Sequence, residues 1–287
     1  ELAPWRIYSP TIKAIACVGE SVTGSRIQAQ GAPTLKRLHL ELGGKNPNII
    51  FADADLTAAV DNALTAVFLH SGQVCSAGAR LLVEESIHDR VVDEIVRRAE
   101  RIRLGGPFDP LAETGPLISV GHRDKIAAYV AAAIAEGAVL RCGGSAPDPG
   151  EYPALADGCY YRPTVLDNCV SDMTCVQDES FGPVLTVEVF TSEAEAIRLG
   201  NDTMYGLAGA VWTSDAGKAE RVASALRHGT IWINDYHPYL PQAEWGGFKQ
   251  SGVGRELGPT GLHEYLEAKH VYRNLSPAPS GWFSQEA

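Results

Sequence analysis

The stretch KAIACVGESVTGSR, residues 13–26, has the pattern of a β-strand, a tight turn and the first turns of a helix. Further β-type segments recur along the chain, and segments with helical spacing of apolar residues separate them. Alternation of strands with helices is typical of a mostly parallel sheet that is covered by helices. The sequence therefore predicts an α/β protein, with strands at residues 14–18, 37–40, 81–83, 185–190 and 230–233.

The clearest predicted helix follows Asp55, whose short carboxylate side chain is suited to capping a helix N-terminus. Apolar residues recur there at three- and four-residue spacing and would form one buried stripe, at positions 56, 59, 60, 63, 64 and 67. Other helices are predicted near residues 88–101, 121–136, 193–200 and 215–227, and loops at 105–107, 143–150 and 246–254.

The composition of the 287 residues, 45% hydrophobic and 21% charged, is that of a soluble globular protein with one large core or two domains. The net charge of −11 argues against nucleic-acid binding, which needs a dense basic patch. No run approaches the roughly 18 apolar residues of a membrane span, and the first ten residues lack a signal-peptide pattern. These features predict a cytoplasmic location.

The six cysteines are scattered and form no CxxC pair, so the sequence predicts neither a disulfide framework nor a zinc site. The eight histidines show no metal-ligand spacing, and we expect no metal. Cys75 is the exception among the thiols, because the small residues of SGQVCSAG, residues 71–78, would leave it reachable by a substrate. The alternative is that Cys75 is an ordinary packing residue.

Glu41 lies in LELGGK, residues 40–45, directly after a predicted strand and before two glycines. This places its carboxylate at a strand end, where α/β proteins bind ligands, although a surface carboxylate near Lys45 is the alternative. The Glu41 and Cys75 motifs, 34 residues apart, together resemble the general-base and nucleophile motifs of the aldehyde dehydrogenase superfamily. The resemblance covers residues 11–275 and continues in order through ESFGPV (179–184), Asn201 with YGL (205–207), GTIWIN (229–234) and GGFKQSG (246–252).

The resemblance implies oxidation of an aldehyde to a carboxylic acid. The Cys75 thiolate would attack the aldehyde, the thiohemiacetal would pass hydride to a nicotinamide, and Glu41 would activate the water that hydrolyses the thioester. It also implies an aldehyde-dehydrogenase-like catalytic domain with a remnant of a Rossmann-type cofactor-binding domain. The expected boundaries are 1–42 for that remnant, 43–252 for the catalytic domain, and 253–287 for a C-terminal helix, an oligomerisation strand and a tail.

The resemblance implies NAD or NADP as the cofactor. By motif, Glu179 would hydrogen-bond the nicotinamide-side ribose and Phe181 would pack near the nicotinamide. Without the surrounding motifs, the alternative is that Glu179 is a surface carboxylate. The alternative for Gly19 and Gly24 is that their spacing marks an ordinary turn. Glu20 departs from the family's small hydroxyl residue, and its charge would repel a pyrophosphate. The candidate cofactor-binding residues are Gly19, Gly24, Leu42, Gly43, Glu179 and Phe181.

The aromatic segment DYHPY, residues 235–239, followed by Glu244 and Trp245, resembles betaine-aldehyde-type members of the family. A cage of rings would suit a quaternary ammonium substrate through cation–π attraction, and Tyr236, His237 and Trp245 are the candidate substrate-binding residues. The alternative is that these rings only pack against their own loop.

Family members carry a further segment N-terminal to the region that this chain matches. That segment contains most of the cofactor-binding sheet and one oxyanion-hole donor. Cofactor binding by this chain alone is therefore doubtful, and the missing layer would come from another polypeptide or from a longer chain. The alternatives to a dehydrogenase are a cofactor-incompetent paralogue that serves as a partner subunit, and a thiol esterase. Residues 265–274 resemble the family's assembly strand, which predicts a homo-oligomer or a complex with a chain that supplies the missing half.

Overall fold

The computed structural model describes residues 7–150 and 152–283 and contains two sheets. The larger sheet has seven strands in the order β5-β6-β7-β4-β3-β8-β9, parallel except for the antiparallel pair β5 and β6. Its strands are β3 (Pro47–Ile50), β4 (Arg80–Glu84), β5 (Val139–Cys142), β6 (Thr164–Asp167), β7 (Val184–Phe190), β8 (Ala208–Trp212) and β9 (Thr230–Ile233).

Eight α-helices lie in the described part of the chain beyond residue 8. They are α1 (Ser21–Gly31), α2 (Leu56–Phe68), α3 (His88–Ala99), α4 (Val120–Ala135), α5 (Thr174–Gln177), α6 (Glu193–Asn201), α7 (Ala216–Ala225) and α8 (Gly258–His263). The predicted cap is confirmed, because the Asp55 carboxylate accepts hydrogen bonds from the backbone N–H groups of Thr57 and Ala58. The α/β class and the five predicted strands are confirmed, with ends that differ by at most one residue.

Helices cover both faces of the larger sheet. Successive side chains of a strand point to opposite faces, so Ile50 packs in the core beneath α2 and α3 while its neighbour Ile49 packs beneath α6 and α7. In β4, Leu81 likewise packs in the same core as Ile50, and Leu82 packs in the same core as Ile49. Each such fully buried aliphatic side chain contributes about 1.5–3 kcal/mol to folding. The larger sheet is therefore the rigid support for the loops that follow its strands.

The smaller sheet is built from β1 (Ala14–Val18), β2 (Arg37–Glu41) and the two-residue β10 (Gly252–Val253). β1 runs parallel to β2, and β10 runs antiparallel to β2 with Gly252 opposite Glu41. A Cβ atom at Gly252 would lie 2.1 Å from the carbonyl oxygen of Leu40, so only glycine lets β10 approach this closely. The Ser251 hydroxyl donates to the Gly43 carbonyl oxygen (2.7 Å) across 208 residues of sequence.

The opening unit has the predicted strand–turn–helix form but is incompletely covered within the described residues. β1 alternates between exposed and half-buried positions, and Val18 is 70% exposed. Leu35, after α1, is also largely exposed. The exposure agrees with the expectation that this unit needs a further layer to bury both of its faces.

The predicted strand at residues 265–274 is one that would pair with another chain, so it stays a prediction. These residues form no strand, because no other described strand lies beside them, and their side chains are exposed. The predicted loop at residues 246–254 also contains β10, which the sequence pattern missed. In the part of the chain that the structure describes, no helix has the length and apolar character needed to cross a membrane.

Candidate active site

Cys75 lies in the loop between α2 and β4, after the 3₁₀ turn Leu69–Gly72. Gly72 has φ of +70°, and a Cβ atom there would lie 2.0 Å from the Gly182 carbonyl oxygen, so glycine is required at this turn. The Asn46 side-chain amide donates to the carbonyl oxygens of Cys75 and Ala77, at 2.9 Å each. Asn46 therefore ties the Cys75 loop to the segment that follows Glu41, a role that the sequence analysis did not assign.

The Cys75 thiol is half-buried and lies within the electrostatic influence of two carboxylates. Burial raises the pKa of this thiol to about 11, and the negative charges of Glu179 and Glu41 add to that effect. Cys75 is therefore protonated at neutral pH in this structure. Any change that neutralises the two carboxylates, or brings a cation close, favours the thiolate.

Glu41 ends β2 and is only 4% exposed. Neither of its carboxylate oxygens makes a hydrogen bond to a described residue. Burial and the charge of Glu256 raise the pKa of Glu41 to about 7, while Arg255 and the nearby Trp245 indole oppose the rise to a smaller extent. A carboxyl group with this pKa exchanges protons readily near neutral pH, which is the property that a general base needs.

Glycine at position 246 makes room for the Glu41 carboxylate. A Cβ atom there would lie 2.9 Å from Glu41 Oε1 and 2.9 Å from the Gly254 carbonyl oxygen. Gly246 also has φ of +152°, which other residues rarely adopt. Gly246 therefore forms part of one wall of the pocket that holds the Glu41 carboxylate.

Glu179 lies over the two glycines that follow Glu41. The Gly44 N–H donates to Glu179 Oε1 (3.0 Å), and a Cβ atom at Gly43 would lie 2.3 Å from Glu179 Oε2. Burial raises the pKa of Glu179 to about 7, against the effects of the Gly44 N–H and the Lys45 charge. Fixed carboxylate oxygens are good acceptors for hydroxyl groups, so Glu179 is suited to hold a ribose.

The other candidate cofactor residues gather at the same end of the smaller sheet. The Gly19 N–H donates to the Glu41 carbonyl oxygen (3.0 Å), and a Cβ atom at Gly24 would lie 2.6 Å from Leu42 Cδ1. Gly24 thus lets α1 pack directly on Leu42. Phe181 is partly exposed, and its carbonyl oxygen accepts a hydrogen bond from His122 Nε2 (2.7 Å).

The expected repulsion by Glu20 is moderated in the structure. The Glu20 side chain is 72% exposed and its Oε1 lies 3.8 Å from Lys125 Nζ. An exposed carboxylate with a lysine beside it acts on its surroundings through water, which weakens its field. Glu20 still contributes to the raised pKa of Glu179.

The aromatic residues predicted to bind substrate pack around Trp232. The ring centroids of Tyr236 and Trp245 lie 4.8 and 6.1 Å from that of Trp232, and the His237 ring lies 5.8 Å away. Tyr236 is buried, and its hydroxyl donates to the Ser76 carbonyl oxygen (3.0 Å). The cluster therefore adjoins the residue that follows Cys75.

Two further aromatic residues belong to this cluster but were not proposed from the sequence. Trp232 forms its centre, and Tyr239 packs edge-on against Trp245 with centroids 5.0 Å apart. The hydroxyl groups of Tyr239 and Ser76 also share a hydrogen bond. The signal was present, since both aromatic residues lie in stretches already singled out, residues 229–234 and 235–239.

Three clefts of the described residues, with volumes of about 460, 500 and 500 Å³, lie elsewhere, and none of them includes Cys75 or Glu41. A smaller cleft beside the Cys75 loop is lined by Gly44, Val74, Glu179 and Phe181 among others. Residues 7–150 and 152–283 contain no group of three His, Cys, Asp or Glu side chains placed to hold a metal ion. The geometry thus unites a thiol, a buried carboxylate, a second carboxylate over a glycine pair, and an aromatic cluster.

Comparisons with known proteins agree on one family. The sequence profile described as "Aldehyde dehydrogenase family" matches residues 7–271. The betaine aldehyde dehydrogenase of Bacillus subtilis (strain 168) is 58% identical over 273 residues, which cover 95% of this chain and 55% of that protein. The chloroplastic betaine aldehyde dehydrogenase of Atriplex hortensis is 44% identical over 277 residues, with 96% and 54% covered.

Among solved structures, betaine aldehyde dehydrogenase from Staphylococcus aureus in complex with NAD⁺ superposes with a TM-score of 0.96 at 50% identity. The match covers 99% of this chain and 56% of that one. The chain thus spans about half the length of the curated relatives it matches.

Proposed function

The chain belongs to the aldehyde dehydrogenase family, and we propose that it carries the thiol and general-base half of an enzyme that oxidises an aldehyde to a carboxylic acid with NAD. The observation that carries this proposal is the common site of Cys75 and Glu41, in which the charge of the buried carboxylate reaches the thiol. The comparisons give no support to the two alternatives, a partner subunit without catalysis and a thiol esterase.

The proposed chemistry begins at Cys75. The thiol proton leaves to solvent and the sulfur bonds to the aldehyde carbon, which gives a thiohemiacetal. The Cys75 backbone N–H is one hydrogen-bond donor to the oxyanion that develops on the aldehyde oxygen. After oxidation to a thioester, Glu41 takes a proton from water while the water oxygen bonds to the acyl carbon. Breaking of the C–S bond releases the acid and restores the Cys75 sulfur.

The residues around Glu179 fit a nicotinamide cofactor. A carboxylate anchored by the Gly44 N–H (3.0 Å) offers acceptors to ribose hydroxyls, and Gly43 has no Cβ to displace it. Gly19, Gly24, Leu42 and Phe181 complete the proposed contact surface. When bound, NAD supplies the hydride acceptor for the oxidation. We assign NAD rather than NADP because the solved relative from Staphylococcus aureus binds NAD⁺.

We propose a substrate with a quaternary ammonium group, as in betaine aldehyde. The relatives named betaine aldehyde dehydrogenase support this class, and the rings of Trp232, Tyr239 and Trp245 supply π-faces next to the Cys75 loop. The Tyr236 and His237 rings pack against each other with centroids 4.7 Å apart, and Tyr236 supports the Cys75 loop through the Ser76 carbonyl oxygen. We also propose a homo-oligomer, assembled through the exposed residues 265–274.

The decisive assay mixes purified protein with betaine aldehyde and either NAD or NADP and follows absorbance of the reduced cofactor. Cys75→Ala should abolish the signal, whereas Cys159→Ala, which replaces another half-buried thiol, should leave it unchanged. If folded protein that carries this chain gives no signal with any aldehyde, or if Cys75→Ala stays active, the proposed function is wrong.

The substrate class has its own test. Betaine aldehyde and 3,3-dimethylbutanal have the same shape but differ by one positive charge, so the ratio of their kcat/KM values isolates the cation–π contribution. Trp245→Leu should lower that ratio about tenfold, since one cation–π contact is worth about 0.5–2 kcal/mol. An unchanged ratio would show that the rings only shape the loop.

A further inference from the structure

His39 is a buried histidine without a hydrogen-bond partner. It lies on β2 two residues before Glu41, so the two side chains project from the same face of the smaller sheet. The side chain is only 5% exposed, and neither ring nitrogen makes a hydrogen bond to a described residue. Buried polar groups are normally paired, so an imidazole left in this state calls for a functional explanation.

The His39 ring lies between two carboxylates. Its Nε2 atom is 3.7 Å from Glu41 Oε1 and 3.8 Å from Glu256 Oε1. Both distances exceed a hydrogen bond by less than 1 Å, so a small rotation of the ring can make either contact. Glu41 is buried, whereas the side chain of Glu256 is 41% exposed. His39 therefore bridges a closed pocket and the solvent.

The position of Glu256 is fixed by the backbone. Its N–H donates to the Trp245 carbonyl oxygen (2.6 Å), and the Trp245 N–H donates back to Glu256 (2.7 Å). β1 presents Ala16 opposite His39 and adds no charge. The charged groups that face or flank the ring are Arg37 and Glu41 on β2, Arg255 and Glu256 after β10, and Glu264 after α8.

We propose that His39 is a positioning residue that carries the proton of the hydrolytic step from Glu41 to Glu256, an inference that rests on the proposed function. Glu41 takes one proton from the attacking water as the C–O bond forms and the C–S bond to Cys75 breaks. The same proton passes to His39 Nε2, then to Glu256, and from there to water. Glu41 returns to its carboxylate form, no electrons are exchanged, and the ring ends in its starting state.

The test separates loading of Cys75 from its release. 4-Nitrophenyl acetate acylates a reactive thiol without any nicotinamide, and intact-protein mass spectrometry then follows decay of the acetyl adduct. His39→Gln should leave the initial burst of nitrophenol, which reports acylation, unchanged. It should slow decay of the adduct by at least about tenfold, since proton transfer typically contributes about 10²–10⁴-fold.

Two further variants sharpen the comparison. Glu256→Gln should slow decay to a similar degree, and combining it with His39→Gln should add little, because residues of one relay are not additive. His88→Gln is the matched control: His88 also bridges two carboxylates, Asp89 and Asp167, at 2.9 Å each, but lies at the start of α3 outside the site. Added imidazole should speed decay of the adduct in His39→Gly, whereas His88→Gly should decay like the wild type with or without imidazole.

The outcomes are distinguishable. Equal loss of acylation and decay in His39→Gln, or decay unchanged from wild type, would overturn the relay while leaving the proposed function intact. Acylation that persists in Cys75→Ala would instead overturn the proposed function. Imidazole rescue confined to His39→Gly supports the relay, since a purely packing role predicts no rescue.

Discussion

Replacing Glu41 by glutamine should make the folded protein more resistant to unfolding at pH 8 while changing its stability much less at pH 5. The reason is that Glu41 is buried, without a hydrogen bond, and has a pKa raised from 4.5 to about 7. The folded state therefore holds a proton on Glu41 at pH values where the unfolded state has lost it. Below pH 4.5 the Glu41 carboxyl is protonated in both states, so no charge is buried and the free energy of unfolding is not lowered by it.

The sign follows from the number of protons bound. Between pH 4.5 and about 7 the native state binds more protons than the unfolded state, so the contribution of Glu41 to stability falls as pH rises. At 1.36 kcal/mol per pKa unit, the full loss is about 3 kcal/mol, reached above pH 7. Glutamine cannot ionise, so the difference between the variant and the wild type should grow by up to that amount between pH 5 and pH 8.

The measurement is urea unfolding of both proteins at pH 5, 6 and 8, followed by tryptophan fluorescence. Comparing the pH dependence of the difference removes the fixed cost of burying the glutamine amide. Glu267→Gln, in the exposed C-terminal segment, is the control and should show no pH-dependent difference. A difference in unfolding free energy that stays constant from pH 5 to pH 8 would refute the assignment of Glu41 as a carboxyl group with a strongly raised pKa.

Gly72→Ala should destabilise the fold by about 2 kcal/mol or more, because the positive φ and a facing backbone carbonyl leave no room for a Cβ. Gly121→Ala in α4, where nothing lies within 4 Å of the added Cβ, should instead stabilise the fold slightly. Thermal unfolding of the two variants compares these effects. Burial lowers the pKa of Lys45 to about 8, so below pH 8 the folded protein carries an unfavourable buried charge. Lys45→Met should remove that charge and raise the free energy of unfolding by up to about 3 kcal/mol. Denaturation between pH 6 and pH 10 should show this gain shrinking as pH rises. Tyr236→Phe leaves the Ser76 carbonyl oxygen without its 3.0 Å hydrogen bond and should cost about 1 kcal/mol in urea unfolding, and no loss would mean that water replaces the hydroxyl.

Local pattern was enough to predict three of the seven strands of the larger sheet, β4, β7 and β9. β7 and β9 are runs of apolar and β-branched residues, and the Asp55 cap lies where its short side chain can reach free N–H groups. Four short strands of that sheet were not predicted, β3, β5, β6 and β8. β3 begins with proline, and β8 contains glycine and two alanines, residue types that are poor local signals for a strand.

Long-range pairing explains what the sequence could not predict about the site. β10 has only two residues, one of them glycine, and becomes a strand because β2 lies beside it. His39 looks like any strand residue until Glu256 is folded against it. Neither local periodicity nor turn chemistry reports contacts between residues this far apart. Local context made Glu41 and Cys75 candidates, and only the resemblance of their two motifs to those of a known family joined them into one expected site.

The pairing of β2 with β10 also orders events during synthesis on the ribosome. Ser251, whose hydroxyl holds the Gly43 carbonyl, is made 208 residues after Gly43, a delay of roughly 10–40 s at typical translation rates. Cys75 emerges early in that interval, whereas the walls of the Glu41 pocket, residues 245–256, emerge at its end. A growing chain thus carries the Cys75 thiol before it can form the pocket that encloses the Glu41 carboxylate.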